Sequence, residues 1–277
     1  MSRKSAAVLR LEVESALAGR VAAPFQYREQ QIVETASAGI AAIDALANGL
    51  PRGALTEIFG PAGSGKTSVL TAVLASRTRA GELCALVDGR DAFDPASAQT
   101  AGVLLNRLLW IRCREIEQAL RCTDLLLQGG GFGLIAVDFS DFATRLVRRI
   151  QLNVWFRWRR AVENTRTILL ALEQDPNAKT CASLVLRMRA EAACWSPTAA
   201  DAQHTEAHLL ESLENSAERL RSKKKEFLMR RLDAQFAAQL DAQEDSIRFA
   251  TQITGKFGEP FPQPAPQPRR KSISQHS

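Results

Sequence analysis

The middle of the chain alternates short apolar runs with longer segments of mixed, helix-type polarity. Runs such as 83–88 and 134–138 are apolar throughout, apart from a closing aspartate. Such runs are typical of strands in a parallel sheet that helices cover on both faces. Strands are predicted in this way at residues 54–59, 83–88, 108–112, 134–138, 167–172 and 183–188. Helices are predicted between them at residues 67–79, 95–102, 115–127 and 142–163. This alternation predicts an α/β fold with a mostly parallel sheet.

Three further segments flank this core, which we place at residues 31–195. Residues 1–30 predict an amphipathic N-terminal helix and a linker. Residues 196–250 predict a charged helical extension, because residues 204–250 lack glycine and proline and carry leucine and phenylalanine at helical spacing. Residues 251–277 predict a disordered tail, since a segment rich in proline, glutamine and serine cannot bury enough apolar surface to fold.

Composition narrows the class of protein. Hydrophobic residues make up 45% of the 277 and charged residues 24%, the balance of a globular protein. No apolar run approaches the roughly 18 residues that cross a bilayer, and the N-terminus lacks a signal-peptide pattern. We therefore expect a cytoplasmic protein with no membrane partner. The five cysteines form no Cys-x-x-Cys pair, so free thiols are expected.

The strongest chemical signal is a glycine-rich loop between the predicted strand 54–59 and the next helix. It fits G-x-x-x-x-G-K-[ST] and reads Gly60-Pro61-Ala62-Gly63-Ser64-Gly65-Lys66-Thr67. Glycines let backbone N–H groups approach phosphate oxygens, and the positive end of the next helix adds to their field. Lys66 is expected to reach the β- and γ-phosphates and Thr67 to hold Mg²⁺. The loop therefore predicts ATP and Mg²⁺ as cofactors.

A second candidate ligand for Mg²⁺ is Asp138, which closes the predicted strand 134–138. In P-loop proteins an acidic residue at the end of a neighbouring strand lies beside the metal. Asp138 follows the loop by about 70 residues, a spacing that fits this role.

Several segments, in the right order, resemble the ATPase core of RecA. They are residues 34–44, 49–53, 57–67, 87–95 and 177–189. The resemblance covers roughly residues 30–190 and implies a RecA-like fold that binds ATP with Mg²⁺. It also implies a glutamate at the position of Arg90, where RecA orients the attacking water. Arginine cannot serve as a base because it stays protonated, so Asp88 and Asp91 are the candidate catalytic residues.

The two segments that match the DNA-binding loops of RecA look shortened. Residues 108–113, 124–133 and 184–195 carry a closer resemblance, to the ImuA-type accessory proteins of bacterial mutagenesis cassettes. That resemblance implies an accessory role in SOS-type translesion synthesis, beside an error-prone polymerase or another DNA-repair protein, with weak or no ATP hydrolysis. Two alternatives stay open: a DNA-dependent ATPase of RecA recombinase type, and a nucleotide-bound scaffold without DNA contact. By the resemblance to RecA, residues 1–30 are a candidate for self-association.

The predicted helix 142–163 carries apolar residues on one side and arginines on the other. Interleaved arginines and aromatic residues can bind single-stranded DNA through phosphate contacts and base stacking, and Trp155 and Phe156 add aromatic surface here. A solvated basic face is the alternative interpretation. The nucleic-acid candidates are Arg145, Arg148, Arg149, Arg159 and Arg160.

Overall fold

The computed structural model describes residues 34–195, 210–222 and 246–252. The chain divides into two compact units, residues 1–34 and residues 35–277, and the described part belongs almost wholly to the second. The predicted N-terminal helix and nearly all of the predicted disordered tail lie outside the described residues.

One eight-stranded sheet organises the second unit, in the order β10-β9-β8-β3-β7-β6-β4-β5. The strands from β8 to β5 in that order all run parallel, whereas β9 and β10 are antiparallel additions at one edge. Their bounds are β3 Ala54–Phe59, β4 Cys84–Asp88, β5 Leu108–Arg112, β6 Leu134–Asp138, β7 Ile168–Glu173, β8 Leu184–Trp195, β9 Leu210–Ser222 and β10 Ser246–Gln252. A separate two-stranded ribbon pairs β1 (Thr35–Ala36) with β2 (Leu50–Pro51). The mostly parallel α/β prediction is therefore confirmed.

Helices cover both faces of the parallel strands. The helices are α1 Ala41–Ala47, α2 Lys66–Arg79, α3 Pro95–Thr100, α4 Ile116–Gly129, α5 Thr144–Val147 and α6 Leu152–Val162. Apolar residues of α1, α2 and α3 pack into one core cluster, and those of α4, α5 and α6 pack into a second. The central strands are buried on both faces, which explains their continuous apolar sequence.

The prediction of a single long helix at residues 142–163 is wrong. The structure has a short α5 and a separate α6, and Gln151 between them adopts an extended backbone with φ −66° and ψ 142°. The break rotates the aromatic residues, so Trp155 and Trp158 are both fully buried against Phe139. Trp155 is a core residue rather than the surface aromatic that the sequence predicted, while Phe156 is exposed.

The helical extension predicted at residues 196–250 is also wrong over its described part. Residues 210–222 form β9 and residues 246–250 belong to β10, and the two strands pair antiparallel. Along β9, Asn215 and Ala217 are buried while Glu214 is exposed and Ser216 half-exposed, an alternation with the strand period of two. The inward positions are a polar and a small residue, so hydrophobicity does not display this period.

Candidate functional site

The glycine-rich loop connects the end of β3 to the start of α2. Gly63 and Gly65 adopt φ values of +76° and +83°, which residues with a Cβ rarely take. The Lys66 side chain is buried and donates to the carbonyl oxygens of Gly60 and Pro61, the latter at 2.8 Å. Thr67 is exposed beside it in the first turn of α2. The loop thus lies between a strand and a helix, with glycines at two positions of positive φ.

The P-loop packs against two strands that come later in the chain, β8 and β9. A Cβ on Gly60 would lie 2.3 Å from the carbonyl oxygen of Met188 in β8. A Cβ on Gly65 would lie 2.7 Å from the carboxamide carbon of Asn215 in β9. Asn215 is fully buried. The side chain of a residue 150 positions later in the chain therefore lies directly against the P-loop. Sequence reasoning missed Asn215, because a lone asparagine in a charged segment carries no motif.

Asp138 ends β6 next to Asp88 of β4, since the two residues are register partners. Its Oδ1 accepts a hydrogen bond from the Ser140 N–H at 2.8 Å. Burial raises the pKa of Asp138, and the neighbouring Asp141 and Asp88 act in the same direction. Burial lowers the pKa of Lys66, which Asp138 and Asp141 oppose through their charges. Lys66, Asp138 and Asp141 therefore influence one another through their charges. The sequence analysis did not single out Asp141.

Asp88 organises the loop that follows β4. Its two carboxylate oxygens accept hydrogen bonds from the backbone N–H groups of Arg90, Ala92 and Phe93 at 3.3, 3.0 and 2.9 Å. The indole N–H of Trp110 donates to the same carboxylate at 3.1 Å. Asp88 is only 3% exposed. Four donors occupy this carboxylate, so its role in the structure is to hold the loop.

Asp91 lies in the same loop and pairs with Arg112. The Arg112 guanidinium contacts both oxygens of Asp91, at 2.6 and 2.5 Å. This hydrogen bonding lowers the pKa of Asp91. Arg90 stands between the two aspartates in sequence, and its guanidinium lies 5.8 Å from the ring centroid of Phe142. The Gly89 N–H donates to the Asp138 carbonyl at 3.1 Å, which brings this loop to the P-loop edge of the sheet.

A buried acidic pair lies behind the P-loop and was not predicted. Glu57 in β3 accepts hydrogen bonds from the backbone N–H groups of Asn177 and Ala178, at 2.6 and 2.8 Å. Glu173 at the end of β7 accepts from the Asn177 side chain at 2.5 Å, and its backbone carbonyl accepts from the Gly60 N–H. Burial raises the pKa of both carboxyls, that of Glu173 well above its usual range. This pair ties the P-loop to the connection between β7 and β8.

The five nucleic-acid candidates do not form one surface. Arg148 follows α5 and pairs with Asp175 at 2.8 Å, just beyond the end of β7 at the P-loop edge. Arg159 and Arg160 lie in the last turn of α6, which leads to the start of β7 at the opposite edge. Eleven residues of α6 correspond to a length of about 16 Å. Arg145 of α5 and Arg149, which follows Arg148 after that helix, are also exposed.

The loop, the N-terminus of α2, the buried lysine and the strand-ending aspartate suit a nucleoside triphosphate with Mg²⁺. In the described ranges no three His, Cys, Asp or Glu residues form a metal cage. Mg²⁺ at nucleotide sites takes one or two protein ligands and completes its shell with phosphate and water oxygens, which Thr67 and Asp138 fit. The described part of the chain holds no helix long and apolar enough to span a membrane.

The fold and this site define a P-loop α/β protein with a RecA-like core. The family described as RecA N-terminal domain matches residues 12–153, slightly more than half of the chain. The chain belongs to the RecA family.

Two further comparisons give a similar sequence and a similar fold. Protein RecA of Colwellia psychrerythraea (strain 34H / ATCC BAA-681) is 41% identical over 108 residues, which are 38% of this chain and 31% of that protein. The chain thus spans less than a third of the length of that relative. The crystal structure of the RadB recombinase superposes with a TM-score of 0.51 at 18% identity, covering 67% of this chain and 89% of the other. It supports the fold alone.

Proposed function

We propose that this chain binds ATP with Mg²⁺ and uses it as a slowly hydrolysed switch in DNA repair, as an accessory factor in SOS-type translesion synthesis. The observation that carries the proposal is the arrangement after β4. By the resemblance to RecA, Arg90 occupies the position of the water-orienting glutamate, and both neighbouring aspartates are held by other partners. The site therefore has the groups that bind a nucleotide, whereas the two candidate bases, Asp88 and Asp91, are engaged elsewhere.

Nucleotide binding would use the residues already described. Backbone N–H groups of the loop and the N-terminus of α2 would surround the phosphates, and Lys66 would neutralise part of their charge. The Thr67 hydroxyl and Asp138 would hold Mg²⁺, which supplies charge stabilisation at the phosphates when bound. Burial lowers the pKa of Lys66, and the charges of Asp138 and Asp141 oppose that shift.

Slow hydrolysis follows from what surrounds Arg90. Asp88 would have to give up four hydrogen bonds to act on water. Asp91 would have to leave a bidentate contact with Arg112. The loss of a base or water-positioning group typically lowers the rate about 10²–10⁴-fold. We therefore expect ATP to persist in the site.

Two features support a place in DNA repair beside other proteins. The chain belongs to the RecA family, and a relative carries the name of RecA itself. The connections after β6 and after β7 are short, with α5 beginning at Thr144 and a single 3-10 turn at Lys179–Cys181. They offer little room for long DNA-binding loops. This supports an accessory role beside an error-prone polymerase, with single-stranded DNA as a secondary partner.

The test is ATP turnover with and without single-stranded DNA. We expect slow turnover by the wild type, and none by Lys66→Ala. Arg90→Glu should hydrolyse ATP faster than the wild type. Arg114→Glu is the matched control, because it reverses an exposed arginine near the same loop without entering the glutamate position.

Other results of this assay would support a different function for this chain. Brisk, DNA-stimulated turnover by the wild type would support a recombinase-type ATPase instead. If that turnover disappeared in Asp91→Ala, Asp91 would be the base. An absence of ATP binding in calorimetry would overturn the proposal and both alternatives, since the scaffold alternative is also nucleotide-bound.

A further inference from the structure

One side chain holds both ends of the turn between β6 and α5. The Gln174 carboxamide donates from Nε2 to the Ser140 carbonyl at 2.7 Å and accepts at Oε1 from the Thr144 hydroxyl at 3.0 Å. Ser140 is the second residue after β6, and Thr144 is the first residue of α5. The turn that follows the strand-ending Asp138 is therefore held by a side chain that comes 34 positions after Ser140 in the sequence.

The same turn orients the Asp138 carboxylate. The Ser140 N–H donates to Oδ1 of Asp138 at 2.8 Å, while the Ser140 carbonyl accepts from Gln174. Two backbone groups of one residue therefore connect the carboxamide of Gln174 to the carboxylate of Asp138. A shift of the Ser140 backbone would also move the hydrogen bond that holds Asp138.

Gln174 itself has a well-defined position. It is half-buried and directly follows Glu173, the last residue of β7. The Phe139 N–H donates to the Leu172 carbonyl at 2.9 Å, which joins this end of β7 to the end of β6. The Glu173 carbonyl accepts from the Gly60 N–H of the P-loop at 3.2 Å. Gln174 therefore extends from a strand end that both β6 and the P-loop hold in place.

The held turn also contains Asp141, whose charge acts on Lys66. Asp138 and Asp141 both oppose the lowering of the Lys66 pKa by burial. The two aspartates thus lie on one segment, residues 138–144, which the hydrogen bonds of the carboxamide fix. The position of that segment therefore decides where negative charge lies relative to the P-loop lysine.

We propose that Gln174 is a positioning residue for Mg²⁺, which holds, through the Ser140 backbone, the carboxylate with which Asp138 binds the metal of Mg·ATP. The inference rests on the proposed function, since it assumes that ATP and Mg²⁺ occupy this site. Metal-binding carboxylates are themselves held by hydrogen bonds, and loss of a supporting group typically lowers metal affinity about 10–100-fold. Gln174 carries no charge, so its effect is on geometry rather than on the electric field at the phosphates.

The experiment is calorimetry of ATP binding to the full chain, once with Mg²⁺ and once with EDTA. The ratio of the two affinities measures what Mg²⁺ contributes to binding. Gln174→Met keeps the length of the side chain and removes both of its hydrogen bonds to the turn. We expect this variant to bind ATP about tenfold or more weakly than the wild type with Mg²⁺, and within about twofold of the wild type in EDTA.

Three further variants separate positioning of the metal ligand from a general effect on the fold. Thr144→Val removes only the hydrogen bond to Oε1 and should lower the affinity ratio less, in the same direction. Asp175→Asn changes the neighbouring side chain, which pairs with Arg148, and should leave the ratio unchanged. In an Asp138→Asn background, Gln174→Met should have little further effect, because the carboxamide acts through the carboxylate.

The outcomes distinguish this inference from the proposed function. An unchanged affinity ratio in Gln174→Met, equal losses with Mg²⁺ and with EDTA, or a full additional loss in the Asp138→Asn background would overturn the inference alone. An absence of ATP binding by the wild type would overturn both. If Gln174→Met fails to fold by circular dichroism, Thr144→Val serves as the test, and an unchanged ratio in that variant would overturn the inference.

Discussion

Replacing Gly65 with alanine tests the contact between the P-loop and β9. Gly65 has φ +83°, and an alanine there costs about 1–2 kcal/mol in backbone energy. The new Cβ would also lie 2.7 Å from the Asn215 carboxamide, closer than real Cβ contacts come. Overpacking of this kind typically costs about 1–3 kcal/mol. The expected total is therefore roughly 2–5 kcal/mol, divided between stability and ATP binding.

The steric part of this free-energy cost should disappear when the Asn215 side chain is truncated. We expect Gly65→Ala and Asn215→Ala to be non-additive by about 1–3 kcal/mol, because the double variant relieves the clash but not the strained φ. Gly63→Ala is the matched control, since Gly63 has φ +76° and open space where the Cβ would go. It should show the backbone cost alone and no coupling to Asn215→Ala.

The measurements are urea unfolding and ATP calorimetry on the four members of the cycle and on the control. ATP affinity should fall about tenfold for each 1.4 kcal/mol that the loop loses in its binding form. Additive effects within about 0.5 kcal/mol would show that Asn215 does not touch the loop in solution and would refute this reasoning.

Three further outcomes are expected. Lys66→Ala should remove most ATP affinity in calorimetry while far-UV circular dichroism stays unchanged, and equal ATP binding by both proteins would sink the site assignment. Glu173→Gln should stabilise the protein in urea unfolding at pH 8 and do so less at pH 5. The reason is that a carboxyl whose pKa is raised by folding carries no penalty below its unfolded pKa and its full penalty above its folded pKa. A larger gain at pH 5 would contradict the burial argument. Arg148→Gln with Arg149→Gln should weaken single-stranded DNA binding and flatten its salt dependence, whereas changing the two arginines at the end of α6 should not. Equal effects of the two pairs would contradict the separation of the two edges.

The parallel core could be predicted from the sequence because each strand is recognisable from its own residues. Strands buried on both faces must be apolar throughout, so β4, β6 and β7 are visible as runs. The P-loop is equally local, since glycine and lysine at fixed spacing specify both a backbone form and a charge.

The features that could not be predicted from the sequence all depend on tertiary contacts. Asn215 and Ala217 face inward because that face of β9 lies against the P-loop and the core, contacts that no window of residues around them records. The break at Gln151 turns Trp155 and Trp158 toward Phe139, and hydrophobic spacing alone fitted a continuous helix equally well. Asp88 and Asp91 stay candidate catalytic residues by their position, but the sequence could not show which groups hold them. Their partners, Trp110 and Arg112, lie about 20 residues away on another strand.

The contact between Gly65 and Asn215 has a consequence for protein synthesis. A ribosome makes the P-loop early, yet the residue that supports it is added 150 positions later. A nascent chain that has emerged only through β7 can form much of the parallel core, since adjacent parallel strands β3, β7, β6, β4 and β5 are then all present. Its nucleotide loop would still lack the Asn215 support. We therefore expect full ATP affinity to appear late in translation, only after β9 has left the exit tunnel and paired with β8.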